Sequence, residues 1–427
     1  MNDLQKISTP AETALITALE TLPQADGWVR EARAAAAERF RVTGLPHRRI
    51  EDWKYTDLRT LMREVAPLSE SGGAVATPEH FADLATDRIV VSDGQIVAGD
   101  MPEGVSVVAT DDLLGQSDAW LRDVLTAEMD GIASPVLDLN TALMRGGVVI
   151  RIAARTELTR PLQIAFVAGG EAEASFVRNV ISVGEGAIAP ILIGHEGPDG
   201  VAYQANTVTH VEVADRARVD LVRLQVEGDQ ATHLATVASR IAGNAVLNLF
   251  TITLGASLSR TQVAFRMEGQ HSELRFSGAQ LLRGTQHADT TMYVDHREPD
   301  CTSRELYKTV LDDKSRGVFQ GKIMVHRDAQ KTDGRMMSQA LMLSTTAEID
   351  NKPELEIYAD DVQCGHGATA GQLDDDLMFY LKARGLPPAE AEKLLIAAFI
   401  GEAIEGIDIE PLRDAVSGAA MAWLDAR

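Results

Sequence analysis

One stretch of the sequence combines residue types that could bind a metal ion or carry sulfur chemistry. Cys364 and His366 are separated by a single glycine, and they follow an alternating apolar run typical of a β-strand. Thiolate and imidazole groups are ligands that iron, zinc and iron–sulfur clusters accept. Because residues two apart in an extended segment point to the same side, both side chains could reach one site. A lone Cys-x-His pair also fits a packed cysteine beside an incidental histidine, so the spacing leaves both interpretations open.

The number of cysteines limits what such a site could hold. The chain has two cysteines, Cys301 and Cys364, whereas an iron–sulfur cluster usually needs four protein ligands, most of them thiolates. We therefore expect this chain to lend one or two ligands to a cluster site that a partner completes. Cys301, in the segment PDCTSRELYK, is interpreted as a small, buried apolar residue.

Other polar groups have simpler structural interpretations. The acidic runs Asp360–Asp361 and Asp374–Asp376 resemble paired general acids or cation ligands, but acids at a strand end or a helix start usually serve turns and caps. His287, Asp295 and His296 could line a strand face as metal ligands, and we expect them instead at exposed strand positions. The sequence has no G-x-x-x-x-G-K-[ST] loop, so we do not expect this chain to hydrolyse ATP by that mechanism itself.

Composition restricts the classes of partner and compartment. The 427-residue chain carries a formal net charge of −23, which argues against a nucleic acid or an anionic membrane as its main partner. Two cysteines exclude a disulfide framework and fit a reducing compartment. The longest apolar run, Leu394–Ile400, is too short to span a bilayer, and the N-terminus has no apolar signal segment. We expect a soluble, cytoplasmic protein.

The elements that must position Cys364 and His366 are mainly strands. From about Val148 to Tyr358, short segments rich in Val, Ile and Thr follow one another, separated by glycines or short polar turns. No helical periodicity interrupts this region of roughly two hundred residues. Stacking into a β-helix or solenoid would bury such strands, and a two-sheet jelly roll or a large open barrel is the alternative.

Helices are predicted before and within the strand region. Ala-rich segments with helical spacing precede Gly44, which is a suitable stop. The aromatic residues Trp53 and Tyr55 are expected to pin this helical arm to its neighbour. Residues 68–80 have the composition of a loop, and a further helix is predicted from Asp111 to Met129.

Helices are also predicted after the strand region. Asp374 or Asp375 is expected to cap a helix that ends at Gly385. A second helix begins at Pro387–Pro388, and the tail forms a shorter one. Apolar residues occupy more than half of the circumference of the second helix, which predicts that it packs both against its own chain and against a partner.

Four motifs resemble the SufB/SufD family of iron–sulfur cluster assembly proteins. They are EDWKYTDL (51–58), SRELYKTVLDDKSRGVFQGKI (303–323), KTDGRMMSQALMLS (331–344) and ELEIYADDVQCGHGATAGQLDDDLMFYLKARGL (354–386). The resemblance covers most of the chain, and the last motif is long enough to be specific. It implies a mainly β fold, with a right-handed parallel β-helix core flanked by N-terminal and C-terminal α-helical regions. The corresponding regions are residues 1–85, residues 86–365 with a helical insertion near 111–129, and residues 366–427.

Within that family the chain is most similar to the SufD-type members. Its cysteine count is low, it has no N-terminal cysteine motif, and His366 is followed by Gly367, where SufB-like chains carry a glutamate. The resemblance implies that His366 faces a cysteine of a SufB-like partner where a nascent cluster forms, and that it ligates iron or orients sulfur transfer, supported by Cys364. Gly365 departs from the SufD-like pattern, which commonly has serine there; the missing hydroxyl could alter local hydrogen bonding but not the identity of the ligands.

The resemblance also implies two partners. A SufB-like scaffold would pair through the β-helix, and a SufC-like ATPase would dock on the C-terminal helices between about Asp375 and Gly406. The chain itself would bind no nucleotide, and the sequence leaves open whether a flavin visits the complex or a homodimer forms in isolation. The residues expected to contact the ATPase are Asp375, Leu377, Phe379, Tyr380, Leu394 and Phe399.

Two functions are compatible with a long β-helix. The first is a non-catalytic scaffold subunit that helps to build an iron–sulfur cluster at the interface with a SufB-like partner. The second is a stand-alone enzyme that acts on a polysaccharide, with acids on a strand face as general acid and base. Such enzymes usually need a groove lined with aromatic residues, and aromatic residues make up 5% of this chain. We therefore favour the scaffold.

Overall fold

The strands follow one another as turns of a parallel β-solenoid, with helices towards both ends of the chain. The computed structural model describes residues 8–21, 25, 27–69, 77–92, 95–99, 101–116, 118–127 and 134–427. The strands are β1 (Asp87–Ser92), β2 (Gln95–Ala98), β3 (Val105–Ala109), β4 (Val148–Ile152), β5 (Leu162–Val167), β6 (Ala174–Val183), β7 (Ile188–Glu196), β8 (Gln204–Val213), β9 (Arg218–Val226), β10 (Thr232–Ile241), β11 (Val246–Thr253), β12 (Leu258–Met267), β13 (Glu273–Leu282), β14 (His287–His296), β15 (Thr302–Leu311), β16 (Arg316–Val325), β17 (Asp333–Met342), β18 (Glu348–Ile357) and β19 (Gln363–Gly371). The helices are α1 (Pro10–Thr21), α2 (Gly27–Thr43), α3 (Leu58–Leu61), α4 (Thr110–Leu114), α5 (Ala119–Thr126), α6 (Pro135–Leu143), α7 (Asp375–Ala383), α8 (Pro388–Ile404) and α9 (Glu410–Asp425).

Successive strands alternate between two sheets. One sheet has the order β19-β17-β15-β13-β11-β9-β7-β5-β1-β2, and the other has the order β18-β16-β14-β12-β10-β8-β6-β4-β3. Neighbours are parallel from β5 onward; β10, for example, pairs in register with β8 on one side and with β12 on the other. About eight turns stack in this way. The solenoid predicted from the sequence is confirmed, and the jelly roll and the open barrel are excluded because their strands are mainly antiparallel.

Alternate residues of each strand point into the solenoid and stack on the equivalent residues of the next turn. Val213, Ile241 and Met267 occupy one such interior column, and all three are buried. His296 occupies the next position of the same column. Because parallel register repeats one position in every turn, a polar residue at an interior position is buried among apolar neighbours.

Three polar residues that we expected at exposed strand positions are buried, so that expectation is wrong. His296 lies in the interior column, whereas His287 and Asp295 alternate with interior residues and lie on the outer face of β14 beneath other segments. His287 Nε2 is 3.0 Å from Thr56 Oγ1, and Asp295 Oδ1 is 2.7 Å from His326 Nε2. Alternation in the sequence shows that a strand has two faces, but it does not show what covers the outer one.

The N-terminal helices pack on the outer face of the solenoid. α1 begins with a reciprocal cap, in which Thr9 Oγ1 accepts a hydrogen bond from the backbone N–H of Glu12 and the Glu12 carboxylate accepts one from the backbone N–H of Thr9. Gly44 follows α2 at a φ of +66°, a left-handed conformation that glycine adopts readily, as predicted. The predicted loop at 68–80 falls partly outside the described residues.

The single helix expected at 111–129 is instead two short helices, α4 and α5. Asp118 begins α5 by accepting a hydrogen bond from the backbone N–H of Leu121 at 3.0 Å, so a local cap divides the apolar pattern. Met129 lies outside the described residues. A further helix, α6, was not predicted; the Ser134 hydroxyl caps its N-terminus.

Three helices follow the last strand. Asp374 caps α7 by accepting hydrogen bonds from backbone N–H groups of its first turn, and Gly385 follows α7 at a φ of +91°, both as predicted. α8 and α9 bury apolar residues against the outer face of the sheet that ends in β19. β19 itself continues to Gly371, past the boundary at residue 365 that the sequence suggested. No helix within the described residues is both long enough and apolar enough to cross a lipid bilayer.

Candidate functional site

β18 and β19 form the last turn of the solenoid. In the described part of the chain, β19 pairs with β17 at the end of one sheet, and β18 pairs with β16 at the end of the other. Their residues are exposed or half-buried, whereas most residues of β13 and β14 are buried. The backbone N–H and C=O groups on the free side of an edge strand are available to pair with a strand of another chain.

Cys364 and His366 lie on the same face of β19, as their spacing predicted. Cys364 is opposite Gly334 on β17, and His366 is opposite Met336. Since Met336 is buried in the interior of the solenoid, this face of β19 points inward. Cys364 is half-buried against the interior cluster, and His366 is exposed. The pair therefore lines the open end of the solenoid interior.

Gly334 leaves space beneath the thiol. A methyl group at the Cβ position of Gly334 would lie 3.7 Å from Cys364 Sγ and 3.3 Å from Ser303 Oγ. Ser303 Oγ in turn lies 3.0 Å from His296 Nε2. The absence of a side chain at Gly334 thus opens a gap between the thiol and a buried hydroxyl–imidazole pair. Burial lowers the pKa of His296 to about 4, so its imidazole is neutral at pH 7.

Glu305 places a carboxyl group in the same interior. It lies on β15, in register with Met336 on β17 and His366 on β19. Its side chain is buried, and within the described residues neither carboxyl oxygen makes a hydrogen bond of normal geometry. Burial raises the pKa of Glu305 to about 8, against smaller opposing effects of the Ser303 hydroxyl and the Arg304 guanidinium. The carboxyl group therefore keeps its proton at neutral pH.

Both cysteines are free thiols. Burial raises the pKa of the Cys364 thiol, and a hydrogen bond with the backbone of Gly334 opposes this effect. The thiol therefore stays protonated at neutral pH unless a metal ion or another positive charge stabilises the thiolate. Cys301 is buried, as predicted, with its Sγ 3.2 Å from Ser272 Oγ.

Cys364 and His366 are one sulfur donor and one nitrogen donor on a single face. Within the ranges that the structure describes, no three His, Cys, Asp or Glu side chains are arranged to hold a metal ion together. The exposed imidazole lies at an edge strand that another molecule can approach. The geometry thus presents two ligands at an accessible end of the fold.

A second exposed surface lies on α7 and α8. No residue of α7 is buried, and the Phe379 side chain on that helix is 71% exposed. A cluster of large exposed apolar side chains is typical of a protein–protein contact. The exposed members of the set expected to contact an ATPase are Asp375, Leu377, Phe379, Tyr380 and Leu394.

Phe399 belongs to the same predicted set but has a different position. Its side chain is half-buried against the solenoid, with the Nζ of Lys308 4.5 Å from the ring centroid. The Lys308 ammonium also forms a salt bridge with Glu402 of α8. Phe399 and Lys308 thus hold α8 on the outer face of β15, directly behind the interior residues of that strand.

Two protein-family models match most of the chain. Residues 166–399 match the SUF system FeS cluster assembly, SufBD core domain. Residues 20–164 match the SufBD protein N-terminal region. Together the matches cover the solenoid, the N-terminal helical region from residue 20 and the C-terminal helical region as far as residue 399. They leave the polysaccharide-active alternative without support.

Individual relatives match over most of their length. The iron–sulfur cluster assembly protein SufD of Escherichia coli (strain K12) is 32% identical over 381 residues, which cover 88% of this chain and 88% of the relative. An iron–sulfur cluster assembly SufBD family protein of Synechocystis is 29% identical over 420 residues, which cover 94% of this chain and 91% of the relative. A SufBD family protein of Mycobacterium tuberculosis is 27% identical over 386 residues, with 88% of each chain covered.

Proposed function

Since the chain belongs to the SufBD family of iron–sulfur cluster assembly proteins, we propose that it acts in the cytoplasm as a SufD-type scaffold subunit of a SUF complex. It lends His366 and Cys364 to a nascent cluster at the interface with a SufB-like partner. The chain catalyses no chemical step alone. A SufC-like ATPase that docks on α7 and α8 supplies the nucleotide hydrolysis.

The observation that carries this proposal is the position of Cys364 and His366 at the open end of the solenoid interior. Both side chains point to the same space, and the strand that bears them is the edge of its sheet. A partner strand that pairs with this edge would bring its own side chains next to the thiol and the imidazole. Sulfur and nitrogen donors from two chains could then complete one coordination sphere.

The protonation state of the interior suits a site that is filled only when iron arrives. Burial keeps the Cys364 thiol protonated, so an approaching iron ion would displace that proton and stabilise the thiolate. His296 is neutral, and Glu305 is protonated at neutral pH. The residues behind the thiol therefore carry no charge that would hold a cation deeper in the solenoid.

The exposed apolar surface of α7 and α8 supports the docking of an ATPase. A soluble subunit gains from covering large exposed side chains such as Phe379 and Leu377. α8 is attached to β15 through the Lys308–Glu402 salt bridge, and β15 carries Glu305 on its interior face. The docking surface and the cluster site are thus on directly connected elements.

The decisive experiment co-expresses the chain with SufB-like and SufC-like partners and follows cluster formation by anaerobic absorption and Mössbauer spectroscopy. We expect His366→Ala to leave the fold and the complex intact and to abolish cluster build-up. Cys364→Ser should reduce the yield of the cluster. His326→Ala is the matched control, because His326 is a partly exposed histidine elsewhere on the solenoid and should give a normal cluster yield.

Two results would contradict the proposal. A normal cluster yield from His366→Ala would remove that residue from the site. Failure of the wild-type chain to co-purify with a SufB-like partner would remove the shared interface. For the ATPase, Phe379→Ser should abolish co-purification of the SufC-like subunit while the SufB-like partner is retained.

A further inference from the structure

A groove lies at the end of the sheet that β19 closes, and Cys364, His366 and Met336 line it from the inner face of the strands. The rest of its lining is the outer face of β13, β15, β17 and β19, and the end of α8 with the turn that follows it forms one wall through Glu402 and Gly406. The cavity volume is about 710 Å³, which is within the range of small-molecule sites. Gly406 packs closely at the inner end, since a methyl group there would lie 3.0 Å from Ser277 Oγ. The groove is therefore closed towards α8 and open towards the sheet edge.

A row of arginines crosses the floor of this groove. Arg275, Arg304 and Arg335 occupy the same register position on β13, β15 and β17. Neighbouring strands in a sheet are about 4.8 Å apart, so the three side chains leave the sheet at that spacing. Like charges at such a distance repel one another unless anions lie among them. In a chain of net charge −23, this row is a local concentration of positive charge.

Carboxylates of the chain neutralise the row incompletely. Arg304 Nη2 is 2.6 Å from Asp333 Oδ2 and is firmly held. Arg335 must share the same aspartate, at 3.4 Å from its Nε to Oδ1, and its side chain is 63% exposed. One carboxylate thus serves two guanidinium groups, and Arg335 is the looser of the two.

At the Arg275 end of the row, too, there are fewer carboxylates than guanidinium groups. Arg275 lies 3.3 Å from Asp408, which also receives Arg218 at 2.7 Å. Arg218 has Asp220 as a second partner. Among the residues that the structure describes around the row, four guanidinium groups therefore share three carboxylates. Glu402 in the wall is paired with Lys308, so it does not neutralise the excess positive charge of the row.

An apolar row runs beside the charged one. Leu306 and Met337 are in register with each other, two residues further along β15 and β17 than Arg304 and Arg335. Met337 is 39% exposed, and both side chains line the groove. On β19 the charged row ends at Gly365, where a methyl group would meet no atom of the described residues within 4 Å. A ligand can therefore enter from the sheet edge and contact the charged row and the apolar row together.

We propose that this groove binds a small organic anion that has a phosphate or diphosphate head group and an apolar body. Arginine recognises phosphate oxygens through paired N–H donors, and the row presents three such groups in line. Leu306 and Met337 would contact the apolar body. The arginine row and the cluster ligands line the same cavity from opposite faces of the sheet, because strand alternation puts Cys364 and His366 on the inner face and the arginines on the outer one.

The test uses the purified full-length chain and three probes. Inorganic pyrophosphate presents the head group alone, geraniol presents an apolar body alone, and geranyl pyrophosphate presents both. Isothermal titration calorimetry should show geranyl pyrophosphate binding more tightly than pyrophosphate, and geraniol binding least. Arg335→Gln should weaken the binding of both phosphates by roughly tenfold, the loss of about one charge-assisted contact.

The control variant is Arg216→Gln. Arg216 is 62% exposed and also ion-paired, so it matches Arg335 in exposure but lies on a distant turn. It should bind the probes as the wild type does. Met337→Gln should remove the preference for geranyl pyrophosphate over pyrophosphate without changing pyrophosphate affinity.

Three results would overturn the proposal. The wild type fails to bind either phosphate probe, or Arg335→Gln binds as tightly as Arg216→Gln, or geraniol binds as tightly as geranyl pyrophosphate. The cluster experiments vary Cys364 and His366 and measure cluster yield, whereas these titrations vary Arg335 and Met337 and measure the affinity for the probes. A failure of probe binding and a failure of cluster build-up are therefore distinguishable.

Discussion

The Trp53 ring lies against the guanidinium group of Arg260, with the Arg260 Cζ 3.8 Å from the ring centroid. Arg260 is fully buried on the outer face of β12 and forms a salt bridge with Asp289 of β14. Asp289 also accepts a hydrogen bond from the Thr56 hydroxyl. A buried charge that is paired and stacked in this way fixes the N-terminal arm to the solenoid. The interpretation that Trp53 pins the arm is confirmed.

Removing the Trp53 ring should release the arm. We expect Trp53→Ala to lower the free energy of unfolding by about 3–5 kcal/mol, because it leaves a cavity and exposes the buried Arg260–Asp289 pair. Urea unfolding followed by circular dichroism measures the loss, and limited proteolysis of the arm reports its release. Trp120→Ala is the control: that ring also contacts an arginine, Arg151, but is only half-buried, so its loss should be clearly smaller.

The Lys308–Glu402 salt bridge predicts an unequal effect of its two partners. The Lys308 side chain is 2% exposed and that of Glu402 is 62% exposed. Glu402→Ala leaves a buried ammonium without its carboxylate and should destabilise the attachment of α8 by roughly 1–3 kcal/mol. Lys308→Met keeps the buried stem and removes the charge, so it should be nearly neutral. Hydrogen exchange of α8 amides measures both.

A double variant separates the contribution of the Lys308–Glu402 salt bridge from any other effect of the Glu402→Ala substitution on stability. In a Lys308→Met background, Glu402→Ala should cost little, because no buried ammonium remains. Asp425→Ala is the comparison for an exposed pair, since its partner Lys393 is one-third exposed; we expect a change below about 1 kcal/mol. Equal losses from Glu402→Ala with and without Lys308 would show that the salt bridge does not hold α8.

Glu305 predicts a pH dependence of stability with a defined sign. Burial raises the pKa of Glu305 from 4.5 to about 8 in the folded chain. Below pH 4.5 both folded and unfolded chains hold the proton, and the folded state carries no penalty. Between pH 4.5 and about 8 only the folded chain retains it, so stability falls as pH rises through this window. Glu305→Gln should remove that decline and stabilise the chain at pH 8 by a few kcal/mol.

The measurement for Glu305 is the difference in unfolding free energy between pH 5 and pH 8, for wild type and variant. Comparing this pH-dependent change between wild type and variant cancels the contribution of the buried histidines, because they titrate in both proteins. Glu348→Gln changes an exposed carboxylate on the neighbouring sheet and should leave the pH profile unaltered. An identical slope in wild type and Glu305→Gln would show that the carboxyl group is not held in its protonated form.

Gly278 predicts a steric effect inside the solenoid. A methyl group at its Cβ position would lie 2.5 Å from the ring of Tyr307 and 2.9 Å from the backbone oxygen of Thr251. Tyr307 cannot move freely, because its hydroxyl is 2.8 Å from Thr290 Oγ1. We expect Gly278→Ala to lower the free energy of unfolding by about 1–3 kcal/mol. Gly371→Ala should change thermal stability little, because the added methyl group meets no atom within 4 Å in the described part of the chain.

Much of the candidate site could be predicted from local sequence. The two-residue spacing of Cys364 and His366 places them on one face of a strand whatever the fold, because side chains alternate along any extended segment. Asp374 could be assigned as a cap from its position before an apolar helical pattern. Glu305 was missed, although the alternation in SRELYKTVL places it on the same face as Ser303 and Tyr307. The alternation of side chains does not show that this face is the one that points into the solenoid.

The sequence by itself determined most element types and the pairing of the two candidate ligands, since these depend on periodicity and caps within a few residues, and the family resemblance of its longer motifs indicated the solenoid. Only the tertiary structure decided which face of each strand is interior and which residues of different turns meet. Arg304 and Arg335 are 31 positions apart in sequence and adjacent in the sheet because parallel register aligns successive turns. Register is a property of the whole stack, so the arginine row, the buried histidines and the Glu305 carboxyl emerge only when the turns are assembled.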